Sequence, residues 1–91
     1  MKVKFFATYR DVTSCKETDI PAPVDVWSML ALLGDRYGEP IRLMLYAPDG
    51  AGISENAIIL VNGRSIAHLD DKDTPLREAD VVCVFPMVAG G

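Results

Sequence analysis

Asp25 to Pro40, "DVWSMLALLGDRYGEP", limits the possible folds more than any other stretch of this chain. Val26, Met29, Leu30, Leu33 and Tyr37 recur at helical spacing and make one apolar stripe. Asp25 is placed to cap the N-terminus, while Gly38 and Pro40 stop the helix. Gly34 inside it costs about 1 kcal/mol relative to alanine. No second segment carries a comparable pattern. A lone amphipathic helix must bury its stripe against something else, and a sheet with one apolar face is the simplest partner.

The remaining segments supply that sheet. Lys2 to Thr8 alternates, with Val3, Phe5 and Ala7 on one side and Lys2, Lys4, Phe6 and Thr8 on the other. Residues 9–15, "YRDVTSC", read as a polar turn, and Lys16 to Ile20 as a returning strand ended by Pro21 and Pro23. Residues 41–56 are ambiguous between a short strand and a helical turn, followed by an exposed loop. In "AIILVNGRSI", Asn62-Gly63 joins two apolar runs and signals a hairpin. "HLDDKDTPLREAD" is a polar connection with room for one helical turn, and "VVCVFP" is a last strand that Pro86 ends. The order β-β-α-β-β-β predicts an α+β domain over residues 1–91. Its expected form is a β-grasp, the ubiquitin-like arrangement: a mixed sheet of four to five strands on one main helix, with first and last strands parallel at the centre. Residues 87–91 are expected to be a flexible tail.

Composition removes several functions. The formal charge is -4 with 24% charged residues, so there is no basic patch for nucleic acid. The apolar runs 57–61 and 81–89 are too short to span a bilayer. The start, Met-Lys-Val-Lys, enters an alternating pattern directly, so no leader is expected and the cytoplasm is the expected location. Cys15 and Cys83 with one histidine make no tetrahedral zinc set, and neither a bound metal nor a bound cofactor is expected. Both thiols are read as reduced, with Cys83 a small apolar strand residue. His68 falls in a polar loop and reads as a surface residue.

Two features remain. The chain closes on "FPMVAGG", a hydrophobic run and two glycines, which raises the prospect that the Gly91 carboxylate is itself the reactive group. Strand alternation also turns Val82 and Val84 to the helix, and Val81, Cys83 and Phe85 away from it. Phe6 on the neighbouring strand shares that open face. An apolar strip of Phe6, Cys83 and Phe85, extended by Pro86, Met87, Val88 and Ala89, is expected to bind a partner. A register shift by one would instead bury Phe85.

"VKFFATYRD", "VDVWSMLALLGDRYG", "ILVNGRSI" and above all "DTPLREADVVCVFPMVAGG" resemble the small subunit of molybdopterin synthase, among the ubiquitin-like sulfur carriers. Ala79 stands where that family has glycine, Met87 where it has a second proline, and the loop at 47–56 is longer than in its shortest members. The resemblance implies that an adenylating enzyme, related to ubiquitin activators and using ATP, activates the Gly91 carboxylate. A sulfur donor protein then converts it to a thiocarboxylate. A large synthase subunit, in a heterotetramer, takes up Gly90 and Gly91 and moves the sulfur to a cyclic pterin precursor, supplying the catalytic groups itself. Glycines suit a narrow channel because they lack Cβ. Other carriers (thiamine, cysteine, tRNA thiolation), a protein modifier joined through its terminal glycine, and a plain binding module are the alternatives.

Overall fold

The computed structural model describes residues 1–87. Its elements are β1 (Lys2–Phe5), α1 (Thr8–Thr13), β2 (Glu17–Asp19), α2 (Val26–Tyr37), α3 (Glu39–Leu45), β3 (Ala57–Val61), β4 (Arg64–Ser65) and β5 (Val81–Pro86). Two 3-10 turns, Ile66–His68 and Asp71–Asp73, join β4 to β5. The strands form one sheet in the order β2-β1-β5-β3-β4. β1 and β5 run parallel, and every other pair is antiparallel. The last strand in sequence is therefore central in space, as expected of a β-grasp.

Alternation explains which face is covered. Val3, Phe5, Val82, Val84, Ile59 and Val61 turn to one side and are buried there. Met29, Leu30 and Leu33 from α2, with Ile41 and Leu45 from α3, complete that core. Asp25 caps α2 by accepting the Ser28 N–H at 2.9 Å. Asn62 and Gly63 take φ of 51° and 84°, the left-handed pair that a tight two-residue hairpin needs.

Three expectations are corrected. Residues 9–15 are not merely a turn, because Thr8–Thr13 form α1. Tyr9 is driven inside (1% exposed), and its hydroxyl donates to the Met44 carbonyl at 3.0 Å. Thr13 Oγ1 bonds back to the Tyr9 carbonyl at 2.9 Å. The first strand correspondingly ends at Phe5, and Ala7 is exposed at φ 52°, ψ −127° rather than sharing the core with Val3 and Phe5. Such a backbone costs an L-residue about 1–3 kcal/mol, which the burial of Tyr9 offsets. Finally, Pro40 does more than end a helix. It sits in the first turn of α3, where a missing N–H leaves no helical bond unmade. The main helix thus has two shorter companions.

Arg42 of α3 packs closely over Gly34. A Cβ there would lie 2.8 Å from Arg42 Nε and 3.0 Å from Arg42 Cγ. α3 folds back over α2 at this point.

Candidate functional site

The face of the sheet opposite α2 and α3 is the open one, and its apolar part gathers where β5 leaves the sheet. Phe85 lies half-buried on this face, while its neighbour Val84 is fully buried on the other. Phe6, just past β1, donates its N–H to the Val84 carbonyl at 3.0 Å, which extends the parallel ladder by one residue. Its ring meets Phe85 edge-on, with centroids 5.6 Å apart at 82°. The Arg10 guanidinium sits 5.8 Å above the Phe6 ring, and Arg10 Nε donates to the Phe5 carbonyl at 3.3 Å. A cation over the ring face and an aromatic edge beside it fix Phe6 although it is 37% exposed.

Cys83 lies half-buried on the same face, opposite Lys4 of β1 and Leu60 of β3. Neither cysteine is in a disulfide; Cys15 Sγ is 3.4 Å from the Tyr37 hydroxyl instead. Burial pushes the Tyr9 phenol up to about 12, so it remains a neutral hydrogen-bond donor inside the core.

Pro86 occupies the one position where the strand tolerates it. Along β5, Val84 directs its carbonyl to β1, so residue 86 has the same sense and its missing N–H would have pointed to the Phe6 carbonyl. That carbonyl instead accepts from the Tyr9 N–H at 3.1 Å, in the first turn of α1. On the other side Met87 still donates to the Asn56 carbonyl at 2.8 Å. Met87 is 54% exposed. Val88, Ala89, Gly90 and Gly91 lie outside the described residues.

The register adds two residues that alternation along β5 alone did not reveal. Ile58 pairs with Phe85 and Leu60 with Cys83, so both stand on the open face of β3. The signal was the unbroken run "AIILV", apolar on both sides of the strand. Phe6, Phe85, Ile58, Cys83 and Leu60 share one face, with Lys4 among them. His68 lies apart, exposed in the first 3-10 turn. Among the described residues no helix is long and apolar enough to cross a membrane.

Comparison with known proteins agrees with this geometry. A model of the ThiS family matches residues 3–91. Small archaeal modifier protein 3 of Haloferax volcanii is 36% identical over 94 residues, covering 100% of this chain and 98% of that protein. The solution structure of small archaeal modifier protein 1 from Methanosarcina acetivorans superposes with a TM-score of 0.82 at 29% identity, covering 99% of this chain and 94% of that one. A candidate molybdopterin converting factor, subunit 1, from Pyrococcus furiosus gives 0.75 at 31% identity, over 96% and 95%.

Proposed function

The chain belongs to the ThiS family of ubiquitin-like sulfur carriers and modifiers, and we propose that its task within that family is to carry sulfur for molybdopterin synthesis in the cytoplasm. The observation that carries the reading is the juxtaposition at the end of β5. A central strand delivers the chain to Met87 beside an apolar cluster of Phe6, Phe85 and Ile58 on the uncovered face. The 31% likeness to the Pyrococcus furiosus converting factor supports the pterin branch.

In this reading the Gly91 carboxylate attacks the α-phosphorus of ATP on an adenylating enzyme, and pyrophosphate leaves. A persulfide on a donor protein attacks the acyl carbon and AMP leaves; a second thiol then attacks the donor-side sulfur of the acyl disulfide, releasing the thiocarboxylate and leaving a disulfide on the donor. On a large synthase subunit the thiocarboxylate sulfur attacks a side-chain carbon of the pterin precursor, and the oxygen substituent it replaces leaves. Water then cleaves the acyl–sulfur bond and restores the carboxylate. The carrier supplies the acyl group and the docking face, and the partners supply acids, bases and the nucleotide site. Gly90 and Gly91 add no side chain at the acyl carbon, so two different enzymes can close around it.

A second reading has its own support. The Haloferax volcanii relative is named a modifier, which favours transfer of the Gly91 acyl group to lysines of other proteins. One experiment separates the two. The purified chain is incubated with ATP, an adenylating enzyme and a sulfur source, and its intact mass is measured. A gain equal to one oxygen replaced by sulfur is expected. The product is then offered to a synthase large subunit with cyclic pterin precursor. Sulfur appearing in the pterin supports the first reading. A thiocarboxylate that returns no sulfurated pterin, with isopeptide-linked ladders in cells that vanish on deleting Gly91, supports the second. No mass gain with a competent enzyme refutes the carrier chemistry itself.

A further inference from the structure

Asn62-Gly63 closes the β3–β4 hairpin, and the same pair carries a reactivity that the turn does not use. The side-chain amide of an asparagine is open to attack by the backbone nitrogen of the next residue. Glycine at that next position has no Cβ to block the approach. Asn62 and Gly63 are both exposed, and a Cβ at Gly63 would meet nothing within 4 Å, so water reaches the pair freely. The chain has one other asparagine, Asn56, and no glutamine. Asn56 precedes Ala57, whose methyl hinders the approach and whose N–H is already donated to the Ser54 carbonyl at 3.1 Å.

The fold fixes the Asn62 amide at both its atoms. Nδ2 donates to Asp80 Oδ1 at 2.8 Å, and Oδ1 accepts the Val81 N–H at 2.9 Å. The Asn62 N–H donates to the Val81 carbonyl at 2.8 Å, so backbone and side chain grip the head of β5 together. Asp80 is held in turn. Its Oδ2 accepts the Arg77 N–H at 2.9 Å, and its own N–H donates to the Arg77 carbonyl at 3.0 Å.

We propose that Asn62 is a deamidation site whose reaction this clamp holds back and whose products cannot remake the clamp. Turning Cγ toward the Gly63 nitrogen breaks the hydrogen bonds to Asp80 and Val81. The reaction therefore runs from copies in which the hairpin has come away from β5. The Gly63 nitrogen bonds to Asn62 Cγ, its proton passes through water to the amide nitrogen, and ammonia leaves. Water then opens the cyclic imide at either carbonyl and yields aspartate or isoaspartate. Aspartate sets a carboxylate oxygen against Asp80 Oδ1, where Nδ2 had donated, and the like charges repel. Isoaspartate adds a main-chain carbon to the two-residue turn and upsets its closure. Either product loosens the hairpin from the head of β5. Asn62 lies beside Val81 and Asn56 beside Met87, so the change falls at the end of the sheet opposite Met87. A copy that opens and reacts is marked for good, whatever becomes of its Gly91 carboxylate.

The test follows the full chain by intact mass and peptide mapping during incubation in mildly alkaline buffer, folded and in urea. Replacement of the Asn62 amide nitrogen by oxygen is expected at least about tenfold more slowly in the folded chain, since only open copies react. Asn56 should keep its amide over the same period. Asp80→Ala, checked as folded by circular dichroism, should react faster than the folded parent. The Asn62→Asp variant should melt about 4–8 °C below the parent, the scale of one lost hydrogen bond in a domain of this size. Adding Asp80→Asn should recover most of that loss, because donor and acceptor then exchange sides. The proposal is overturned by equal rates in the folded and unfolded chain, by no conversion of Asn62 in urea, or by conversion of Asn56 ahead of it. It is also overturned if folded Asp80→Ala reacts no faster than the parent, or if Asn62→Asp melts like the parent.

Discussion

Val84→Glu and Phe85→Glu put the same charge on adjacent residues of one strand and should fail in different ways. Val84 is fully buried against the helices. Its replacement forfeits about 1.5–3 kcal/mol of side-chain burial. It also places a carboxylate in the core at a cost of several kcal/mol more. A domain of this size has about 5–14 kcal/mol in total at 0.05–0.15 kcal/mol per residue, so Val84→Glu should be largely unfolded. Phe85 is half-buried on the open face. Its loss removes about 1 kcal/mol of partial burial and about 0.5–1.5 kcal/mol from the edge-on contact with Phe6. The new carboxylate stays in water beside Lys4. At about 4–8 °C per kcal/mol, Phe85→Glu should melt roughly 6–20 °C lower and remain folded at room temperature. If Phe85 anchors the adenylating enzyme, the loss of one buried aromatic should weaken docking by about 2 kcal/mol, or about thirtyfold. Circular dichroism melts measure the first effect. The second is read from how thiocarboxylation, followed by intact mass, depends on carrier concentration. If Phe85→Glu unfolds as completely as Val84→Glu, the assignment of faces is wrong. If it folds and is activated like the parent, the docking role is wrong.

Gly63→Ala should destabilise by about 1–2 kcal/mol in urea titrations, because φ is 84° there while an added Cβ would meet nothing within 4 Å; an unchanged midpoint would contradict that backbone assignment. Hydrogen bonds from Ser28 hold the Asp25 carboxyl below the usual carboxylate range. Its contribution is therefore present above the unfolded carboxylate's pKa and lost as pH falls through the lower folded value. Asp25→Asn keeps a capping side chain without that titration, so melting temperature should fall less steeply from about pH 5 to pH 2. Some slope should persist, since Glu78, bonded by the Ala22 N–H and the N-terminal ammonium, is lowered too; a slope identical to the parent's would remove Asp25 from the account. Gly34→Ala should stabilise by about 1 kcal/mol in an Arg42→Ala background. In the parent the gain should be cancelled, because the methyl displaces the Arg42 side chain from Asp35. Equal effects in both backgrounds would show that α3 does not press on Gly34.

The strands and α2 were legible because each carries its own periodicity. α1 was not. Tyr-Arg-Asp-Val-Thr is a poor helix-forming run, and it becomes helical because the core accepts Tyr9 and α3 offers it the Met44 carbonyl. That is tertiary context, which no local pattern holds. α3 was ambiguous because Gly38 and Pro40 read as a stop, although proline also suits a helix start. At the candidate site, alternation along β5 put Phe6, Cys83 and Phe85 on a common face without revealing what lies beside them. Ile58 and Leu60 entered only with the β3–β5 register, which sequence leaves undetermined when a strand is apolar on both faces.

On the proposed docking reading, the same constraint separates folding from docking in this chain. Because β5 is last in sequence and central in space, each of its residues has a fixed sense twice over: a face set by alternation, and a neighbour set by hydrogen bonding. Val82 and Val84 serve the core, which leaves Val81, Cys83 and Phe85 turned to the open face, with Phe85 beside Phe6. Past Val84 the sheet holds the chain on one side only. β1 has ended, the Phe6 carbonyl has gone to Tyr9, and Pro86 has no N–H to spend there, yet Met87 remains tied to Asn56. On the face that α2 and α3 leave open, Phe6, Phe85 and Ile58 stand where β5 runs out to Met87. If that face docks the proposed partners, a substitution on it changes docking while leaving the chain folded.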